Sequence, residues 1–252
     1  MFDLIRKKAE ELRSVSPDNP EFILWVELSN LCYWLYFDIN LRGIKVTRKQ
    51  IAEVLDGKII EDCPMAVYGF VYGFKDIYFN MKAHISMKNS LTARMLDEWC
   101  QDLFDPKDKD GNPVSVRRTS TRAIYEWGHV PPHFHDMNRL YNELLSSCSR
   151  DHYAGNFIDR ILDMYIGILE IYPYGEYTVT AAGLALAYGL LEEGLPLPNL
   201  VLSETEYNTL VAECMEHHDS GPLRDALQRS IYNRLDAVCQ AAIAAKEAEE
   251  NE

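Results

Sequence analysis

The sequence predicts a mainly α-helical fold with one small β-hairpin. Three observations predict it. Apolar residues recur at helical spacing through most of the chain, capping signatures precede several of those runs, and only VSVRRTSTRAIYEW, from Val114, alternates like a strand pair.

In chain order, Phe2, Leu4, Ile5, Ala9 and Leu12 predict a short amphipathic helix, ended by SPDNP at 16–20. Residues 21–37 follow, with Phe22, Trp25, Val26, Leu28, Leu31, Trp34 and Leu35 spread too broadly for one stripe, so this helix is expected to be buried on more than one side. Thr47 with Gln50 is a capping box in front of IAEVL. Helices are expected at about 65–84, from Tyr68, Val71, Phe74, Ile77 and Tyr78, and at about 90–104, from Leu91, Met95, Trp99 and Phe104. DPKDKDGNP at 105–113 is a loop, and the alternating hairpin segment follows it without a strong turn dipeptide.

Helical spacing returns in HFHDMNRLYNELLSSC and in NFIDRILDMYIGILEIY, the apolar centre of the fold. Tyr172-Pro173 ends that helix, because a residue before proline is steered out of helical geometry. AAGLALAYGLLEEG is apolar almost all round and reads as buried, with Thr178 or Thr180 as its cap and Gly183 and Gly189 allowing close helix approach. Ser203 with Glu206 signals another helix start, and a last helix runs from about 221 into AKEAEENE. The expected organisation is an N-terminal helical extension at 1–59, a main domain at 60–240 and an exposed tail at 241–252.

Composition narrows the function. Twenty-five Lys and Arg against 39 Asp and Glu give a net charge of −14, which disfavours a nucleic acid partner because phosphate backbones need a cationic surface. No apolar run reaches membrane-spanning length, and no N-terminal stretch has a secretion-signal layout, so the expectation is a cytoplasmic protein without a membrane partner. Six scattered cysteines without a C-x-x-C pair read as free, mostly buried thiols. His217 and His218 are adjacent, so they do not face one metal from a helix and read as a helix end before Gly221-Pro222.

The run IYPYGEYTVTAAG at 171–183 joins the two apolar helices. Its layout resembles the core motif of the Fic/Doc family, His-Pro-Phe-x-(Asp/Glu)-Gly-Asn-(Gly/Lys)-Arg between two helices. Tyr172 stands at the histidine position, Tyr174 at the phenylalanine and Glu176 at the acidic residue. Tyr177, Thr178 and Thr180 stand at the glycine, asparagine and arginine. The likeness extends diffusely over about 60–240, with 114–125 where the family has a target-aligning hairpin flap. It implies a helical Fic-like domain, a ligand groove at Tyr172, Tyr174, Glu176, Thr178 and Thr180, and a docking flap at Arg117, Arg118 and Arg122.

The resemblance implies AMP transfer from a nucleotide, with the histidine as base, the acidic residue on Mg²⁺ and the arginine on phosphates. The residues present do not meet those needs. A phenol has an ordinary pKa of about 10 and is no ready base. Tyr177 lacks glycine's dihedral range, and Thr180 has no guanidinium fork. Glu176 is the metal candidate, with Mg²⁺ and a nucleotide as candidate ligands. Its bland reading is a carboxylate near a helix start. Thr178 and Thr180 have helix capping as theirs, and the three arginines have a solvent-facing hairpin. His129, His133 and His135 are remote histidines that folding alone brings near or leaves apart. Asp38 in FDIN is the nearest match to a family inhibitory glutamate and reads as structural.

The expected function is a degenerate Fic-like regulatory module binding a protein or a nucleotide, with homo-oligomerisation open. The alternative is a divergent transferase moving a nucleotide-derived or sugar group onto a protein. A helical structural protein with an accidental motif is the third reading.

Overall fold

The computed structural model describes residues 1–61 and 63–249. They form ten α-helices: α1 (Phe2–Val15), α2 (Pro20–Leu41), α3 (Arg48–Leu55), α4 (Met65–Ser86), α5 (Ala93–Phe104), α6 (Phe134–Ser147), α7 (Phe157–Ile171), α8 (Thr178–Glu192), α9 (Glu204–His217) and α10 (Gly221–Glu249). Residues 250–252 of the expected tail lie outside the described residues, and α10 still buries Ala242 fully.

Two compact units divide the chain. The first is Met1–Lys75, Gly194–Glu204 and Arg224–Glu252; the second is Asp76–Glu193 and Thr205–Leu223. In the first, Ile5, Ala9 and Leu12 bury one stripe of α1. Asn19 opens α2 by accepting the amides of Glu21 and Phe22, with Pro20 at the first helical position, where its missing N–H costs nothing. Leu31, Trp34, Leu35, Phe37 and Ile39 are all buried, so α2 buries more than one side near its C-terminal end. The capping box closes as expected: Thr47 Oγ1 accepts the Gln50 amide, and Gln50 Oε1 accepts the Thr47 amide. Such a cap contributes about 1 kcal/mol. Asp38 is 4% exposed and paired with Arg42 at 3.1 Å, a structural role as expected.

The second unit is built around α7 and α8, which pack along each other; α6 lies against α7, and α5 against α8. Ile161, Leu162, Ile168 and Leu169 of α7 and Leu184, Leu186 and Leu190 of α8 are buried to within 1%. Gly189 permits that approach, since a Cβ there would stand 2.8 Å from Ile161 Cγ1. α9 ends at His217, and His218 takes the left-handed conformation with φ +53° just beyond it, so this histidine pair marks a helix end.

The hairpin is corrected. Residues 114–123 contain no strand; isolated bridges join Lys107 to Pro113 and Ile124 to His129 on either side. The Gln101 side chain on α5 takes the place of a partner strand, accepting the Val116 amide at 3.1 Å and donating to the Val114 carbonyl at 3.1 Å. Val116 is buried while Arg117 and Arg118 turn inward to internal acceptors, which breaks the alternation a free-standing hairpin needs. Among the described residues all six cysteines are free, with only Cys32 short of full burial, and no helix is long and apolar enough to cross a membrane.

Candidate functional site

The turn between α7 and α8 is set by Tyr172. Its amide closes the last turn of α7 onto the Ile168 carbonyl at 2.9 Å, and its backbone takes the left-handed conformation, φ +54°. That costs a non-glycine residue roughly 1–2 kcal/mol. Arg118 holds it there. Its Nε donates to the Tyr172 carbonyl at 2.7 Å, and its Nη2 to the carbonyls of Ile171 at 3.1 Å and Pro132 at 2.5 Å. The Arg118 amide donates to the Pro173 carbonyl at 3.0 Å. A guanidinium on the last carbonyls of a helix also suits the negative end of its dipole. Arg118 is thus a clamp on the motif turn.

Tyr174 points into the core. It is 1% exposed, its hydroxyl donates to Asp97 Oδ1 at 2.9 Å, and it shares a 3.2 Å hydrogen bond with the Tyr141 hydroxyl. Arg117 completes this network with a two-pronged bond to Asp97, 2.6 and 2.8 Å, and a bond to Asn138 at 2.9 Å. Its guanidinium carbon sits 4.8 Å from the Tyr141 ring centre and 5.4 Å from that of Tyr174. Burial works against the charge on Arg117, but the Asp97 bond, the Asp97 charge and the Tyr174 and Tyr141 phenols together outweigh it, and its pKa is raised. Burial likewise pushes the Tyr174 phenol far up. Arg117 and Tyr174 are therefore both tied to Asp97.

The expected capping of α8 by Thr178 or Thr180 is corrected. Both are within the first turn of α8 and buried, at 0% and 2% exposure, and no side chain caps α8. Thr178 Oγ1 instead accepts the Tyr174 amide at 3.1 Å, tying the turn to the helix. The reason is register: Gly175–Tyr177 coil into a short 3₁₀ turn that runs directly into α8, so helical geometry starts before either threonine can stand outside it. At the family's glycine position the Tyr177 ring stacks on Phe104, centres 4.0 Å apart and planes 12° apart.

What remains is a cleft of about 700 Å³ lined by Arg117, Arg118, Arg122, Glu126, Tyr172 and Glu176, with Thr119 and Ser120 on its rim. Tyr172, Glu176, Arg118 and Arg122 are brought together; Tyr174, Thr178 and Thr180 do not line it. Glu176 and Arg122 are exposed, and Arg122 makes no hydrogen bond or ion pair among the described residues. Sequence reading missed Glu126, Asp97 and Trp127. The Trp127 ring meets Tyr172 edge-on, centres 5.8 Å apart, and its Nε1 donates to Asn208 at 3.2 Å. Burial pushes the Tyr172 phenol up, Glu126 and Glu176 push it further, and Arg118 offsets this only in part. The phenol is a proton donor at neutral pH, not a base.

No histidine lines the cleft among the described residues. His129 Nε2–H donates to the Glu170 carbonyl at 2.7 Å and lines a separate cavity of about 760 Å³ with Leu144, Gly167, Met215 and His218, which holds none of the motif positions. His133 and His135 are exposed, and His133 Nδ1 accepts the His135 amide. Among the described residues no three His, Cys, Asp or Glu side chains cluster in a way that could hold a metal. Mg²⁺ at Glu176 would need its other ligands from water or a nucleotide.

The comparisons agree on the fold. A Fic-domain-containing signalling protein from Bacteroides thetaiotaomicron superposes with a TM-score of 0.78 at 15% identity, covering 95% of this chain and 96% of that one. Fic-1 from C. elegans gives 0.73 at 13% identity, covering 98% and 73%. A Fic family protein from Desulfovibrio desulfuricans gives 0.68 at 15% identity, covering 98% and 74%. No protein-family model and no curated protein matches the chain. The chain has the fold of Fic-domain proteins, with sequence identity low enough that the fold is what this likeness establishes.

Proposed function

We propose that this chain is a Fic-fold binding module that docks a segment of a protein partner at the α7–α8 cleft and does not transfer AMP. One observation carries the reading: the residue at the base position, Tyr172, holds its proton more tightly than a free phenol, in a cleft without a histidine. General-base catalysis near neutral pH needs the opposite shift. The cationic fork nearest the turn, Arg118, is spent on backbone carbonyls.

The same cleft suits an extended peptide. None of the amides of residues 119–123 donates a hydrogen bond among the described residues, so the rim presents main chain for strand addition. Arg122, Glu126 and Glu176 then select side chains of either charge. A nucleotide is the second reading, supported by the cleft's volume and by the exposed carboxylate of Glu176.

Incubation with ATP labelled in its α-phosphate and Mg²⁺ tests the proposal, beside a calorimetric titration of the same ligands. The expected result is no label on the chain or on added proteins. Label transfer that disappears in Tyr172→Phe or Glu176→Ala would overturn it in favour of a transferase. Saturable heat that disappears in Glu176→Ala, without transfer, would move the reading to a nucleotide-binding module.

A further inference from the structure

In the first unit Arg48 and Arg234, neither of them exposed, have no counter-charge among the described residues. Arg234 is 4% exposed and donates only to neutral acceptors: Asn30 Oδ1 at 3.0 and 3.3 Å, and Ser29 Oγ at 2.5 Å. Arg48 bonds Asn199 Oδ1 at 3.4 Å. Neither has an ion pair among the described residues. Arg160, equally buried at 5%, shows the ordinary solution, with Glu192 at 2.8 Å and Glu193 at 2.9 Å. In a chain of net charge −14, carboxylates are not scarce. A buried, uncompensated cation is costly unless something pairs with it.

Each guanidinium group lies against the same aromatic ring. Their carbons lie 4.7 Å (Arg48) and 4.9 Å (Arg234) from the centre of one ring, that of Tyr33. Arg48 also stands 4.9 Å from the Tyr36 ring, and Arg234 6.0 Å from Trp25, which is 45% exposed.

A second observation falls at the same helix pair. Asn19 at the start of α2 bonds Glu249 at the end of α10, and Asn30 bonds Arg234, so the helices run antiparallel. Trp34 is one turn beyond Asn30, and Ser230 one turn before Arg234, which places both on the same side of that bond. Trp34 Nε1 and Ser230 Oγ are buried without a hydrogen-bond partner. On the α2–α10 pair, the Arg234 guanidinium and two unused donors therefore lie on neighbouring turns.

We propose that Arg48 and Arg234, on either contact of Tyr33, form an anion site for a phosphate group, free or as a monoester. A carboxylate is satisfied by one guanidinium fork, whereas a phosphate dianion offers oxygens to two. Tyr36 and Trp25 supply rings beside it for an ester's organic part. This site is separate from the α7–α8 cleft, and its test does not depend on how that cleft is used.

Thermal unfolding in sodium phosphate and in sodium chloride, at matched pH and ionic strength, is the test, repeated with phenyl phosphate. The midpoint is expected to rise saturably with phosphate but not with chloride, as binding to the folded state requires. Arg48→Gln is expected to abolish the rise, and Arg122→Gln to keep it. Arg234→Gln is a second variant, and half-buried Arg48 keeps the test decisive if that one fails to fold. A rise with phenyl phosphate at lower concentration assigns the site to monoesters; an equal or lesser one assigns it to the free ion. Equal midpoints in both salts, or an undiminished rise in Arg48→Gln, would sink the proposal.

Discussion

Arg118 and Arg122 are four residues apart and of one type, yet the fold gives them opposite roles. Arg118 makes four hydrogen bonds to main-chain carbonyls, those of Ser120, Pro132, Ile171 and Tyr172, and so fixes a strained turn. Arg118→Ala is expected to lower stability by roughly 2–3 kcal/mol, because it strands charge-assisted acceptors at a helix end. Arg122→Ala, at an exposed side chain, is expected to change stability by less than about 0.5 kcal/mol. Urea unfolding of the two variants checks the contrast, and equal losses would deny Arg118 its clamping role. Sequence reading put both arginines, with Arg117, on one docking surface. It had no access to Asp97, which lies 77 positions from the tyrosine it binds.

Among elements, the α7–α8 pair carries the fold and presents the site. Its closeness depends on Gly189, where a methyl group meets Ile161 at 2.8 Å. Gly189→Ala is expected to cost about 1–3 kcal/mol by overpacking, more than the helix propensity it gains. Denaturant unfolding with an unchanged slope checks this, and a stabilised variant would show that the helices have room to part. The helices were legible because long 3.6-residue periods, Thr47 with Gln50 and the Tyr172-Pro173 stop are all local signals. The segment 114–123 was misread as a hairpin because its alternation is real but its partners are not strands. Gln101, Asp97 and the end of α7 take its hydrogen bonds, and none of these is a neighbour in sequence.

Across the whole molecule, buried phenols set the alkaline limit. Burial pushes Tyr188 up to about 12, and pushes Tyr141 and Tyr174 further in the same direction. The folded state therefore holds these protons more tightly than the unfolded chain. The resulting stability is complete below the unfolded value of about 10 and is lost as pH rises through the folded values. Urea midpoints are expected to hold up to about pH 10 and fall steeply towards pH 12. Tyr188→Phe should shallow that fall; a flat profile to pH 12 would contradict the burial.

By itself, the sequence determined the helical class, the order of the helices, the apolar α7 and α8 and the altered turn between them. Those are matters of local period, capping and the loss of particular side chains, and local patterns survive in any environment. Only the tertiary structure decided which polar groups face the cleft: it sends Tyr174, Thr178 and Thr180 inward, adds Glu126 and leaves the histidines elsewhere. It also decided that Arg48 and Arg234 each lie against the Tyr33 ring. The physical reason is that burial and charge pairing depend on residues far apart in the chain, which no local pattern specifies.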